Sequence, residues 1–186
     1  MKIAFIGLPC SGKTTTAIEV SKRLKGIFVP ETARIVIEAM KRPPTKDDQE
    51  FIMKTQSVLE NSMFGDYIVC DIPLFVNNLY YRLYFGRDET EKELYEIAKK
   101  HKYDLIFYLS PLEYKNDGVR YQTKEELEKI NEMFVDYEKT FGKPIYIGTK
   151  NLNERVERVI SEVRKRERVS GVSIYPQNRE ISKKAG

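Results

Sequence analysis

The sequence has few cysteines and no long apolar run, and both shortages restrict what the chain can be. Among its 186 residues only Cys10 and Cys70 are cysteines, and neither belongs to a Cys-x-x-Cys pair. We therefore expect no disulfide framework and no zinc site, as in a protein of the reducing cytoplasm. No apolar stretch reaches the roughly 20 residues that a helix needs to cross a bilayer. Met1 and Lys2 lead directly into a strand-like segment, so we also expect no signal peptide.

An excess of positive charge is confined to the C-terminal end of the chain. Residues 164–186 hold seven Lys or Arg and two Asp or Glu, whereas the whole chain has a net charge of +4. The rest of the chain is therefore close to neutral, which argues against a nucleic-acid-binding face on it. We interpret residues 1–166 as a single domain and residues 167–186 as a basic, solvated tail.

Short apolar runs alternate with helical patterns along the chain. The runs cover residues 2–6, 27–30, 67–71, 104–109 and 144–147. Strands that alternate with helices predict a parallel sheet with helices on both faces. Capping patterns predict helix starts at Thr45, Thr90 and Thr123, because an Asp or Glu follows each of them three residues later. The sequence therefore predicts an α/β fold of three layers, with five parallel strands.

The first apolar run leads into the most specific motif of the sequence. Residues 7–14 read Gly-Leu-Pro-Cys-Ser-Gly-Lys-Thr and match the phosphate-loop pattern G-x-x-x-x-G-K-[ST]. The motif lies between a predicted strand and a predicted helix, which is the context that it requires. The backbone N–H groups of such a loop and the start of the following helix bind the phosphates of a nucleoside triphosphate. The predicted nucleotide-binding residues are Gly7, Pro9, Cys10, Ser11, Gly12, Lys13, Thr14 and Thr15.

Within this site, Lys13, Thr14 and Asp71 have separate predicted roles. Lys13 can reach the β- and γ-phosphates, and the hydroxyl of Thr14 can bind Mg²⁺. Asp71 follows an apolar run, so its carboxylate is expected at the carboxyl end of a parallel strand, beside the loop. There it can hold the Mg²⁺ through water, opposite Thr14. The alternative is that Asp71 caps a helix that begins at Pro73.

Glu31 and Arg34 follow the second predicted strand and are candidates for contact with the acceptor. By the same topology Glu31 faces the crevice near the γ-phosphate, where it can act as a general base toward a hydroxyl. Arg34 can hold an anionic group of the substrate. The alternatives are that Glu31 only favours the helix dipole and that Arg34 is an ordinary surface residue. Whether Glu31 or Asp71 is the general base stays open.

A polar loop of about a dozen residues follows the fourth predicted strand. Loops of this length between two regular elements often close over a site. Phosphoryl transfer needs positive charge on the migrating group, and we predict that Arg120 supplies it. Asp117 of the same loop is a candidate substrate contact. Arg82 and Arg87, from an aromatic-rich helical segment, are second choices, although each alone is more typical of a solvated surface charge.

Three motifs together resemble the NadR-type AAA-like P-loop kinases, which include nicotinamide ribonucleoside kinase domains. They are Glu31-Thr-Ala-Arg34, the strand-end Asp71 and Asp117-Gly-Val-Arg120, within a resemblance that covers roughly residues 1–163. The resemblance implies a sheet of order 2-3-1-4-5, ATP with Mg²⁺ as donor, and a small nucleoside-like acceptor. It also implies roles for Lys13 and Thr14 in the loop, Asp71 as the acid and Arg120 as the lid arginine.

One departure from that family bears on the acceptor. After Asp71 the chain reads Ile-Pro-Leu-Phe, where ribonucleoside kinases of this type usually have an Asp-Thr-Asp-like run. The missing second acid counts against nicotinamide riboside, whereas kinase chemistry is unaffected. We therefore predict an ATP-dependent kinase for a nucleoside or nucleotide. The alternatives are a polynucleotide 5′-hydroxyl kinase that uses the basic tail, and a regulatory nucleotide-binding module without an acceptor.

Overall fold

The computed structural model describes residues 1–112 and 123–170. Within these residues, the chain order is β1 (Lys2–Ile6), α1 (Lys13–Leu24), β2 (Ile27–Val29), α2 (Thr32–Met40), α3 (Lys46–Asn61), β3 (Ile68–Cys70), α4 (Phe75–Phe85), α5 (Glu89–Lys100), β4 (Leu105–Leu109), α6 (Lys124–Phe141), β5 (Ile145–Ile147) and α7 (Leu152–Ser170). None of these helices is long and apolar enough to span a membrane.

The five strands form one sheet in the order β2-β3-β1-β4-β5, and each neighbouring pair is parallel. This confirms the predicted fold class and the strand order that the family resemblance implies. The central strand β1 is apolar on both faces because both are covered, and Ile3, Ala4 and Phe5 are completely buried. Parallel sheets of this kind require helices on each side.

Alternate residues of the sheet pack against different sets of helices. On one face Phe5 and Phe107 stack with 5.7 Å between ring centroids, in a core that includes Val20 of α1 and Val159 of α7. The opposite face packs against α4, α5 and α6 through residues such as Ile6, Leu79, Leu94 and Ile130. The two cores give the three-layer architecture.

The capping predictions are confirmed at two helices and wrong at the third. Thr45 and Thr123 each accept a hydrogen bond from the backbone of the residue three positions later, as a capping box requires. At α5 the cap is Asp88 instead of Thr90, because the Asp88 carboxylate accepts from the Glu91 amide at 2.8 Å. A carboxylate caps a helix at least as well as a threonine hydroxyl, and Lys46 holds Asp88 in place at 2.7 Å.

Helix α7 continues past residue 166, where the sequence predicts the start of a tail. Glu167 is buried and accepts a hydrogen bond from the hydroxyl of Tyr67, next to the start of β3. The predicted boundary therefore falls inside a helix that is packed on the sheet.

A buried carboxylate joins α3 to the start of the sheet. Glu60 receives Lys2 Nζ at 2.6 Å and the hydroxyl of Tyr103 at 2.8 Å, and it lies 3.3 Å from His101 Nδ1. Burial by itself raises the pKa of the Glu60 carboxyl, but the hydrogen bond with His101 and the ion pair with Lys2 outweigh it. The pKa of Glu60 is therefore below its ordinary value, and the ionised form stabilises the fold.

We expect Glu60 to make the protein sensitive to acid. A lowered native pKa contributes stability above the pKa of the unfolded chain, about 4.3 for Glu, and that stability is lost as the pH falls through the native value. Glu60→Gln should lower the free energy of unfolding in urea at pH 7 by about 2–3 kcal/mol, because charged hydrogen bonds are lost. The variant should also lose less stability than the wild type between pH 5 and pH 3.

Glu96→Gln is the matched control for this substitution. The ion pair of Glu96 with Lys99 is solvent-exposed, so its loss should change the unfolding free energy by less than about 1 kcal/mol. Parallel pH profiles for the wild type and Glu60→Gln would contradict the assignment.

Candidate functional site

All five strands end at the same edge of the sheet, and the predicted site residues follow those ends. The phosphate loop follows β1, Glu31 follows β2 and Asp71 follows β3. Ser110 follows β4, and residues 148–151 form the connection between β5 and α7. In an open parallel sheet, ligands bind at this edge, next to the strand where the chain changes the direction in which it extends the sheet. Here that strand is β1, because β2 and β3 lie on one side of it and β4 and β5 on the other.

The loop after β1 turns tightly and lies against the end of β4. Gly7 has φ +142°, and a Cβ atom at this position would lie only 2.6 Å from the carbonyl oxygen of Leu109. Glycine is therefore required where the loop begins. The amide of Ser11 then donates to the carbonyl of Leu8 at 3.2 Å, which closes the turn.

Lys13 is the first residue of α1, and its side chain reaches back across the loop. Its Nζ donates to the carbonyl oxygens of Gly7 at 3.0 Å and Leu8 at 3.2 Å. The ammonium group is thus held over the loop backbone. Lys13 is the lysine to which the motif assigns contact with the β- and γ-phosphates.

Thr14 and Asp71 meet directly beside the loop. The Thr14 hydroxyl donates to Asp71 Oδ2 at 2.7 Å, and the Asp71 amide donates to the carbonyl of Val29 at 2.9 Å. Asp71 is 1% exposed. The cap position of α4 is occupied by Leu74 without a side-chain hydrogen bond, and the helix begins at Phe75 rather than at Pro73.

The Thr14–Asp71 pair supplies oxygen atoms of the type that Mg²⁺ prefers. Across residues 1–112 and 123–170 no group of three His, Cys, Asp or Glu side chains is placed to hold a metal by itself. Mg²⁺ in nucleotide sites is commonly held by one or two protein oxygens together with phosphate oxygens and water. The pair therefore fits an ion that is shared with a phosphate ligand.

Glu31 occupies the cap position of α2 and is half-buried. Val29 is in register with Cys70, so Glu31 and Asp71 follow paired residues of neighbouring strands. Gln56 of α3 fixes the residue after Glu31, because its Oε1 accepts from both the amide and the hydroxyl of Thr32 at 2.8 and 2.7 Å.

Three of the predicted arginines lie in the part of the chain that the structure describes. Arg34 forms an ion pair with Glu38 of its own helix, at 2.9 Å. Arg82 and Arg87 line a cavity of about 610 Å³ between α4, α5 and α6, and none of the residues lining it belongs to the phosphate loop. Arg120 and Asp117 lie outside the described residues.

Arg155, in the first turn of α7, contacts the phosphate loop although no sequence motif indicates it. Its side chain is 1% exposed, and its guanidinium donates to three carbonyl oxygens, one of them that of Ser11 in the phosphate loop. One sequence signal was available, because Arg155 precedes Val159 and Val163 at four-residue spacing. This spacing places a charged residue on the apolar face of α7.

The fold is similar to solved structures of kinases. A deoxyadenosine kinase from M. mycoides, with products dCMP and a flexible dCDP bound, has a TM-score of 0.65 and 16% identity; the match covers 89% of this chain and 99% of that chain. The same enzyme with bound dCTP has a TM-score of 0.58 at 16% identity, over 89% and 100% of the two chains. Thymidylate kinase from Candida albicans has a TM-score of 0.60 at 17% identity, over 89% and 92%.

These similarities establish the P-loop kinase fold. No curated protein matches the sequence significantly. A family model described as an AAA domain matches residues 2–155, which include the phosphate loop and all five strands, and the chain therefore belongs to that AAA-domain family.

Proposed function

We propose that this protein is an ATP-dependent phosphotransferase that moves the γ-phosphoryl group to a small nucleoside- or nucleotide-like acceptor. The observation that carries the proposal is the 2.7 Å hydrogen bond between Thr14 and Asp71 beside the loop lysine. It places a hydroxyl and a carboxylate together where the phosphates and their metal would bind. The kinase fold of the solved neighbours supports the same reaction class. The NadR-type assignment is part of this proposal.

Each group of residues at the site would have a separate role in phosphoryl transfer. Loop N–H groups bind the phosphates, and Lys13 balances charge on the β- and γ-phosphates. Thr14 and Asp71 would hold Mg²⁺, which when bound neutralises charge on the phosphate oxygens. Arg120 would place positive charge on the migrating group.

Glu31 is the residue that we propose as general base. The Asp71 carboxylate is almost fully buried and is engaged with the Thr14 hydroxyl. Glu31 is half-buried and follows the neighbouring strand, so it is the more accessible carboxylate at this edge. A general base must come within hydrogen-bond distance of the hydroxyl that it deprotonates, and accessibility to an acceptor favours Glu31.

We further propose that the protein acts in the cytoplasm as one domain that extends through α7, followed by the basic tail.

Purified protein with ATP and Mg²⁺ should be tested against nucleosides, nucleotides and a 5′-hydroxyl oligonucleotide, with products identified by mass spectrometry. A phosphorylated small acceptor supports the proposal. Hydrolysis without a phosphorylated acceptor would indicate a regulatory NTPase. Phosphorylation of the oligonucleotide with strong salt dependence would indicate a polynucleotide kinase.

We expect Lys13→Ala to lower kcat by about 100-fold or more, because a charge that stabilises the transition state is removed. The unfolding free energy should stay within about 1 kcal/mol of the wild type, since the side chain is only half-buried. Lys22→Ala is the control, because Lys22 is exposed in the last turn of the same helix. A normal kcat in Lys13→Ala would reject the loop assignment.

We expect Glu31→Gln to lower kcat by about 100-fold or more while the Kd for ATP changes little, because a general base acts in the transition state. Steady-state kinetics and equilibrium titration with ATP separate the two quantities. Glu50→Gln, which removes a carboxylate from an exposed ion pair on α3, should change neither. Equal losses in kcat and ATP affinity would instead give Glu31 a structural role.

A further inference from the structure

Arg155 is the largest side chain that the structure buries completely, and its surroundings are unusual for a charged group. Its Nε donates to the carbonyl of Thr149 at 2.6 Å, its Nη2 to the carbonyl of Ser110 at 2.9 Å, and its Nη1 to the carbonyl of Ser11. The three acceptors belong to the connection after β5, the end of β4 and the phosphate loop. One guanidinium therefore joins three segments of the site edge.

In the part of the chain that the structure describes, Arg155 forms no ion pair with a carboxylate. Burial lowers the pKa of the Arg155 guanidinium. Removing a cation from water without an opposite charge is costly, and neutral carbonyls compensate only in part. An apolar residue in the core of α7 would avoid that cost, so packing alone does not account for an arginine here.

The contact with Ser11 determines how the loop presents its backbone. The peptide between Ser11 and Gly12 is trans, so its carbonyl and its N–H point in opposite directions. Because Arg155 Nη1 donates to the carbonyl of Ser11 on one side of this peptide, the N–H of Gly12 points to the opposite side, away from that hydrogen bond. The guanidinium lies close behind this peptide, since a Cβ on Gly12 would be 3.1 Å from Arg155 Nη1.

We propose that Arg155 is a positioning residue for polyphosphate binding, which aims the Gly12 N–H at a phosphate and whose buried charge is balanced by the bound phosphates. This inference rests on the proposed function, because it needs a triphosphate ligand on the loop. A lysine could not replace the arginine fully, since a single ammonium cannot span three carbonyl groups with the fixed fork of a guanidinium.

The start of α7 is built to hold this side chain in place. The Thr149 hydroxyl donates to Glu154 Oε2 at 2.6 Å, and the Glu154 amide donates to Asn151 Oδ1 at 3.1 Å. The amide of Arg155 itself donates to the carbonyl of Asn151 at 3.0 Å. The connection after β5 and the first turn of α7 are thus joined by hydrogen bonds, and the guanidinium reaches the loop from this support.

The test measures equilibrium binding of ATP and of inorganic tripolyphosphate to the full-length protein. We expect Arg155→Met to raise both Kd values by about 10-fold or more, the equivalent of one lost charge-assisted hydrogen bond. Tripolyphosphate has no base, so its weaker binding locates the defect at the phosphates. Arg158→Met, at an exposed position one turn later on α7, should leave both Kd values within about 2-fold of the wild type.

A purely structural role would lower the melting temperature of Arg155→Met but leave the Kd for tripolyphosphate unchanged when it is measured well below that temperature. An unchanged Kd overturns the inference, and so does an equal increase in Arg158→Met. If Arg155→Met does not fold, Arg155→Gln, which also removes the charge, is judged by the same criterion. A wild-type protein that binds neither ligand overturns the proposed function itself, whereas wild-type binding that Lys13→Ala weakens and Arg155→Met does not overturns this inference alone.

Discussion

The parallel direction of all five strands is the constraint on which the rest of the structure depends. All five strands end at the same edge, so residues that follow them and are far apart in sequence become neighbours there. The central strand β1 has a partner on each side, and the chain that leaves it must turn at once. Gly7 permits that turn, since any side chain would meet the carbonyl of Leu109.

A buried polar network runs from the amino ends of the strands toward this edge and links the segments that carry Glu31 and Asp71. Gln56 accepts hydrogen bonds from Thr32, which follows Glu31, and its own amide group donates to Glu60 at 3.3 Å. Glu60 accepts from Tyr103, whose hydroxyl in turn accepts from the amide of Leu74, three residues after Asp71. The segments that carry the two acids are therefore tied to one carboxylate, and a change in its ionisation would affect both.

The sequence was sufficient for the features that local chemistry determines, and insufficient for those that depend on distant contacts. The phosphate loop, the five strands and the position of Asp71 follow from motif and periodicity, and the strand order came from the family resemblance. The pattern at Thr90 predicts the wrong cap, because the Asp88 carboxylate that caps α5 is held by Lys46, from a helix that is remote in sequence. Arg155 was missed for the same reason, since its carbonyl partners come from three different loops.

The bond between Arg155 and Ser11 joins residues that are 144 positions apart. During synthesis the phosphate loop leaves the ribosome early, but its Ser11 carbonyl has no guanidinium partner until the start of α7 has followed. Partial chains can form the central strands before that moment, as domains fold progressively from the amino end. The hydrogen bond that fixes the Ser11 carbonyl can therefore form only after residue 155 has been synthesised, and a message truncated before codon 155 would produce a chain whose phosphate loop lacks it.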